Sequence, residues 1–91
     1  MMAKRVDQNQ AEIVAALRSF GASVCDIHSV GRGCPDIIVS YGGGTYLFEI
    51  KSPDGKLTPD EIKFHNEWRG VIHIIYCVED ALAVLCDGME N

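Results

Sequence analysis

Apolar residues recur along this chain with two different spacings. Ile13, Leu17 and Phe20 follow one another at three- and four-residue intervals, and Gly21 closes the run. That spacing lays an apolar stripe along one side of a helix and predicts a helix over residues 8–20. Asp7 and Gln10 stand as a capping box would at its start. Beyond Gly21 the pattern shortens. Residues 23–28 (SVCDIH) alternate weakly and suit a strand, and residues 29–35 (SVGRGCP) are a glycine-rich loop closed by proline. Residues 36–41 (DIIVSY) and 45–51 (TYLFEIK) read as two strands joined at Gly42, Gly43 and Gly44. After a loop at 52–57, Thr58, Pro59 and Glu61 make a helix start: a cap, a proline at the first turn and an acid three residues on. This helix is predicted to run to about Arg69, with Gly70 as its stop. Residues 71–78 (VIHIIYCV) are the most apolar and β-prone stretch, predicted to be a central strand or one covered on both faces. A short helix over 80–86 precedes Asp87-Gly88.

The order is therefore α-β-β-β-α-β-α. A tight hairpin makes the second and third strands antiparallel. The crossover through the second helix makes the third and fourth strands parallel. The expected fold class is α/β, with a mixed four-stranded sheet flanked by helices.

Composition narrows the class. The chain has 91 residues, 47% of them hydrophobic and 23% charged. It is expected to form a single domain over 1–91, with a core at about 8–80 and a short helix and acidic tail over 79–91. A chain this size buries roughly 60–65% of its unfolded surface, so self-association would help it. The apolar content excludes disorder, and no apolar run is long enough to span a membrane. The N-terminal stretch lacks the apolar core of a signal peptide. Cys25, Cys34, Cys77 and Cys86 form no C-x-x-C pair. Cys25 and Cys77 lie in apolar runs and are expected to be small core hydrophobes. A zinc site is not expected, because structural zinc sites show close ligand pairs. A reduced, cytoplasmic protein is the simplest expectation.

The chemistry is concentrated in four residues: Pro35, Asp36, Glu49 and Lys51. Glu49 and Lys51 are two apart on a strand and leave the same face, while Tyr46, Phe48 and Ile50 leave the other, which should be packed. Asp36 begins the neighbouring antiparallel strand, so the hairpin brings it beside Glu49. Two carboxylates directed at one point repel unless a cation stands between them. Mg²⁺ is commonly held by one or two carboxylates together with water and phosphate oxygens. Such an ion can lower the pKa of a bound water, and a lysine beside it can stabilise developing negative charge. Ile50 can offer its backbone carbonyl. Read without the topology, the same residues are a turn aspartate and a solvated Glu-x-Lys pair.

Pro35-Asp36 followed by Glu49-Ile50-Lys51 resembles the PD-(D/E)XK nuclease motif, and the element order resembles the restriction-endonuclease-like αβββαβ core of that superfamily. The longer string is similar to the VRR-NUC (virus-type replication-repair nuclease) family. It comprises Gly33-Cys34-Pro35-Asp36, Phe48-Glu49-Ile50-Lys51 and Lys56-Leu57-Thr58-Pro59 before a helix. The similarity covers roughly residues 10–80. It implies Asp36 and Glu49 as metal ligands and catalytic residues, the Ile50 carbonyl as a further ligand and Lys51 as the catalytic lysine. It also implies an acid from the first helix, for which Glu12 is the candidate. Many members carry Gln near position 61, where this chain has Glu61. Arg32, Lys56 and His65 are the candidate DNA contacts. Phe64, Trp68 and Ile62 are expected to be core or dimer contacts, and His28 and His73 structural or rim residues.

The resemblance implies a Mg²⁺- or Mn²⁺-dependent endodeoxyribonuclease with 5′-phosphate products and no organic cofactor. Stand-alone members resemble junction-resolving enzymes, so the expectation is a homodimer cutting Holliday junctions or other branched DNA in phage or prophage replication and repair. Alternatives are a flap or nicking nuclease with the same site, or an inactive nucleic-acid-binding module. A formal charge of −5 argues weakly against DNA. However, residues 79–91 hold four acids and no Lys or Arg, and three more acids are the proposed ligands Glu12, Asp36 and Glu49.

Overall fold

The computed structural model describes residues 6–89. It comprises α1 (Val6–Phe20), β1 (Ser23–Asp26), a 3-10 turn (His28–Val30), β2 (Ile37–Tyr41), β3 (Gly44–Ile50), α2 (Pro59–Glu67), β4 (Ile72–Ile75) and α3 (Val78–Met89). The strands form a single sheet in the order β1-β2-β3-β4. β1, β2 and β3 are successively antiparallel, and β4 is parallel to β3. The mixed α/β architecture is the one the hydrophobic pattern predicts.

α1 buries Ile13 and Leu17 completely. It stops where expected: Gly21 has φ +104 and donates to the Arg18 carbonyl, and Ala22 donates to that of Leu17. Its start differs. The helix already includes Asp7, so Asp7 does not precede it as a cap; the Asp7 side chain lies outside the described residues. The β2–β3 hairpin turns through Gly42 and Gly43, at φ +58 and +85. Two consecutive positive φ values are what a two-residue turn between twisted strands requires.

The core lies on one face of the sheet. Ile37, Val39, Phe48, Ile50 and Ile75 meet Ile13 and Leu17 of α1 and Ala81 and Leu85 of α3. Phe48 and Ile50 are buried as their alternation requires, and Tyr46 packs at the margin. α2 buries no residue completely. Its capping box is fully formed: Thr58 Oγ1 accepts from the Glu61 amide at 3.2 Å, and Glu61 Oε1 accepts from the Thr58 amide at 2.9 Å.

Five further expectations are corrected. Among the described residues β4 is an edge strand, not a central one, because the single crossover sets it outside β3. Ile74 is accordingly 37% exposed. β4 is also shorter than the apolar run, since the Tyr76 amide donates to Asp80 Oδ2 and leads into α3. α3 in turn continues through Asp87-Gly88, while Glu90 of the acidic tail lies outside the described residues. β1 ends at Asp26, whose Oδ1 accepts from the His28 amide at 3.0 Å and starts the 3-10 turn. Cys25 is exposed rather than core, because it pairs with Ile38 on the face away from the helices α1 and α3.

One glycine fixes the loop that leads to β2. Gly33 has φ +81, and a Cβ there would lie 2.2 Å from the Asp60 carbonyl oxygen and 2.9 Å from the Glu61 nitrogen. The loop thus rests backbone-to-backbone on the first turn of α2. Gly33→Ala should lower the unfolding free energy by about 2 kcal/mol or more, through both the clash and the left-handed strain. Urea denaturation measures this, and a loss below about 0.5 kcal/mol would contradict the contact.

Candidate active site

The end of the hairpin gathers the candidate residues. Asp36 precedes β2 and is fixed on three sides. Its amide donates to the Phe48 carbonyl at 3.1 Å, its carbonyl accepts from Ile27 at 2.9 Å, and its Oδ2 accepts from the Ile50 amide at 2.7 Å. The loop before it places Gly31, Arg32 and Gly33 in succession at positive φ, and Pro35 is fully buried. The Asp36 carboxylate therefore cannot swing away from β3. A residue's N–H and C=O leave an extended strand on the same side, so the Ile50 carbonyl also faces the Asp36 edge.

Glu49 is the unusual member. It is only 1% exposed, and Oε1 is buried without a hydrogen-bond partner. Its carboxyl group lies against those of Asp36 and Glu61. Two ionised carboxylates have only acceptors to offer each other, so a hydrogen bond between Glu49 and Asp36 needs one proton between them. Burial, then the Asp36 hydrogen bond and the Asp36 and Glu61 charges, push the Glu49 pKa up to about 9, against an opposing pull from Lys51.

Lys51 closes the cluster. Its Nζ is 2.6 Å from Glu61 Oε1 and 3.8 Å from Glu49 Oε2. Burial works to lower its pKa, but the Glu61 hydrogen bond and the charges of Glu61, Glu49 and Asp36 raise it above the ordinary lysine value. For Glu61, burial works upward, yet the Lys51 contact and the Thr58 amide hold its pKa below the usual carboxylate range. Cys34 lies close enough for burial and then the charges of Glu49 and Asp36 to push its thiol pKa up.

The structure thus brings together Asp36, Glu49, Lys51 and the Ile50 backbone. Glu12 is exposed, because the inward positions of α1 are Asn9, Ile13 and Leu17, four residues apart. The α1 side chain that reaches this end of the sheet is Asn9, whose Nδ2 donates to the Tyr76 carbonyl at 3.2 Å and the Lys51 carbonyl at 3.4 Å. Among the described residues, no three His, Cys, Asp or Glu side chains form a ready ligand set. Arg32 is exposed and lines a groove of about 360 Å³ with Asp60, Lys63, Phe64 and Glu67. Lys56 is exposed, and His65 is half-buried with Nε2 unpartnered. His73 packs edge-on against Phe48. Sequence reasoning missed Asn9, which carries no motif signal, and left open whether Glu61 serves the site as well as the cap.

No family model and no curated protein matches this chain. A solved structure described as "VRR_NUC domain" does match, with a TM-score of 0.68 over 98% of both chains and 19% identity. The chain has the fold of a VRR_NUC domain. In that fold, the β2–β3 hairpin carries Asp36, Glu49 and Lys51 at one end, and the first turn of α2 lies beside them.

The VRR_NUC fold here holds its central carboxylate at an electrostatic cost. Glu49 has a folded pKa of about 9 against an ordinary value of 4.5. Its stabilising contribution is complete below the unfolded value and is lost as pH rises toward the folded one. In EDTA at pH 8, Glu49→Gln should therefore exceed the wild type in stability by about 1–2 kcal/mol, and the gain should shrink at pH 5. Urea denaturation at the two pH values decides this; a variant less stable than wild type at pH 8 would contradict it.

Proposed function

We propose that the chain is a metal-dependent endodeoxyribonuclease that hydrolyses phosphodiesters, acting on branched DNA such as Holliday junctions as a homodimer. The buried, partnerless Glu49 oxygen beside the Asp36 carboxylate carries the reading. A carboxylate pair in that setting is poorly satisfied by protein groups and well satisfied by a hard divalent cation. The donor set of Asp36, Glu49 and the Ile50 carbonyl is all oxygen, as Mg²⁺ and Mn²⁺ prefer. An ion held there would supply an activated water and charge neutralisation at the phosphate.

The protein groups supply the rest. Lys51 presents its ammonium beside the carboxylates, where it can orient the attacking oxygen and stabilise negative charge developing on the phosphate. The backbone contacts of Asp36 hold its carboxylate in place before substrate arrives, so little reorganisation is needed. Arg32 and Lys56, both exposed, are the cations that would meet backbone phosphates, and His65 is a further candidate contact.

The dimer reading draws on the surface. Val71, Ile74 and Tyr76 around the β4 edge are 69%, 37% and 40% exposed, and Ile62 and Trp68 of the α2 segment are 47% and 45% exposed. Large apolar groups in that number suit an interface better than water. A two-fold dimer would present two sites to two symmetric strands of a junction. Among the described residues, no helix is long and apolar enough to cross a membrane.

The test is a cleavage panel of four-way junction, flap, duplex and single-stranded DNA in Mg²⁺, Mn²⁺ and EDTA, with oligomeric state followed by light scattering. The expected result is metal-dependent junction cleavage by a dimer. Asp36→Ala, Glu49→Ala and Lys51→Ala should each reduce it by about a hundredfold or more, and Glu12→Ala reports on the acid from α1. Folded Asp36, Glu49 and Lys51 variants that cut as well as wild type would overturn the site. Preferential flap cutting, or a monomer, would overturn the resolvase reading alone.

A further inference from the structure

We propose that Glu61 is the positioning residue for Lys51. It holds the ammonium in a fixed place at the edge of the carboxylate cluster. This rests on the nuclease reading of the same site. A lysine on a flexible four-carbon stem settles against the best acceptor within reach. Glu49 is the nearest carboxylate along the strand, yet Lys51 stands 3.8 Å from it and 2.6 Å from Glu61. Lys51 and Glu61 are 14% and 16% exposed, so this is a sheltered, charge-assisted contact rather than a solvated surface pair.

Glu61 is suited to the task because it cannot move. Its Oε1 also accepts from the Thr58 amide, and its own amide donates to Thr58 Oγ1. The turn that carries it rests on Gly33, where there is no room for a Cβ. Three segments are thus tied together at one point: the Gly33–Asp36 loop, the end of β3 and the start of α2. Without Glu61, the ammonium loses its one close acceptor and is no longer held at the edge of the cluster.

Glu61→Gln separates positioning from structure. Gln at this helix position still accepts from the Thr58 amide, so the capping box survives, while the charge that holds Lys51 is removed. In wild type the Lys51 ammonium should give an ordered ¹⁵N NMR signal with restricted motion, and in Glu61→Gln that signal should become mobile. The melting temperature should stay within about 2 °C, and Mn²⁺ should raise it in both proteins. On the DNA panel kcat should fall about tenfold, with KM little changed. An unchanged Lys51 signal in the folded variant, or an unchanged kcat, overturns the proposal. Loss of the Mn²⁺ effect also overturns it and makes Glu61 a ligand instead. If wild type cuts none of the DNA substrates, the nuclease reading fails, and the ammonium signal still decides whether Glu61 positions Lys51.

Discussion

The burial of Glu49 is the constraint on which the site depends. A carboxyl group that is 1% exposed, with one oxygen unpartnered and two other carboxyl groups against it, is a poor choice for stability. The fold tolerates it because everything around it is over-determined. Ile50 and Phe48, on either side of Glu49 in the chain, are buried in the core. The register with β2 and β4 leaves the strand no freedom to slip. Glu49 therefore remains in place without good partners, a state of low stability that a bound cation would relieve.

The surrounding architecture serves that arrangement in two ways. The hairpin sets the distance: Asp36 is held by the Phe48 and Ile50 backbone, so its carboxylate is carried by the same strand that carries Glu49. The α2 cap bears on the charge balance: the ammonium of Lys51 lies 2.6 Å from Glu61 and 3.8 Å from Glu49. α1 and α3 contribute from the other side of the sheet. Their apolar stripes hold β2, β3 and β4 flat against a common core, and Asn9 ties α1 to the Lys51 and Tyr76 carbonyls.

Much of this was legible in the sequence because it depends on local pattern. The Ile13/Leu17 stripe, the Gly42-Gly43 turn, the Thr58-Pro59-Glu61 cap and the alternation through Tyr46–Lys51 each follow from one short-range rule, and each is in the structure. The juxtaposition of Asp36 with Glu49 was legible because a hairpin has one geometry. What escaped depends on packing across the molecule. β4 has the composition of a central strand and lies at an edge, since strand order is set by the crossover and not by hydrophobicity. Asn9 carries no motif, and only the docking angle of α1 decides that it turns inward. Glu61 reads as a cap from its neighbours, and its contact with Lys51 appears only once the start of α2 meets the residue that follows β3.

On the proposed function, Asp36 and Glu49 would hold a cation, and Glu49 carries a proton while none is bound. Calorimetric titration of the protein with Mn²⁺ at pH 7, in buffers of different ionisation enthalpy, tests it most directly. With a Glu49 pKa of about 9, binding should release about one proton per ion, because the ligand must be deprotonated. Asp36→Ala and Glu49→Gln should abolish the tight phase. Binding without proton release, or binding undiminished in both variants, would contradict the account.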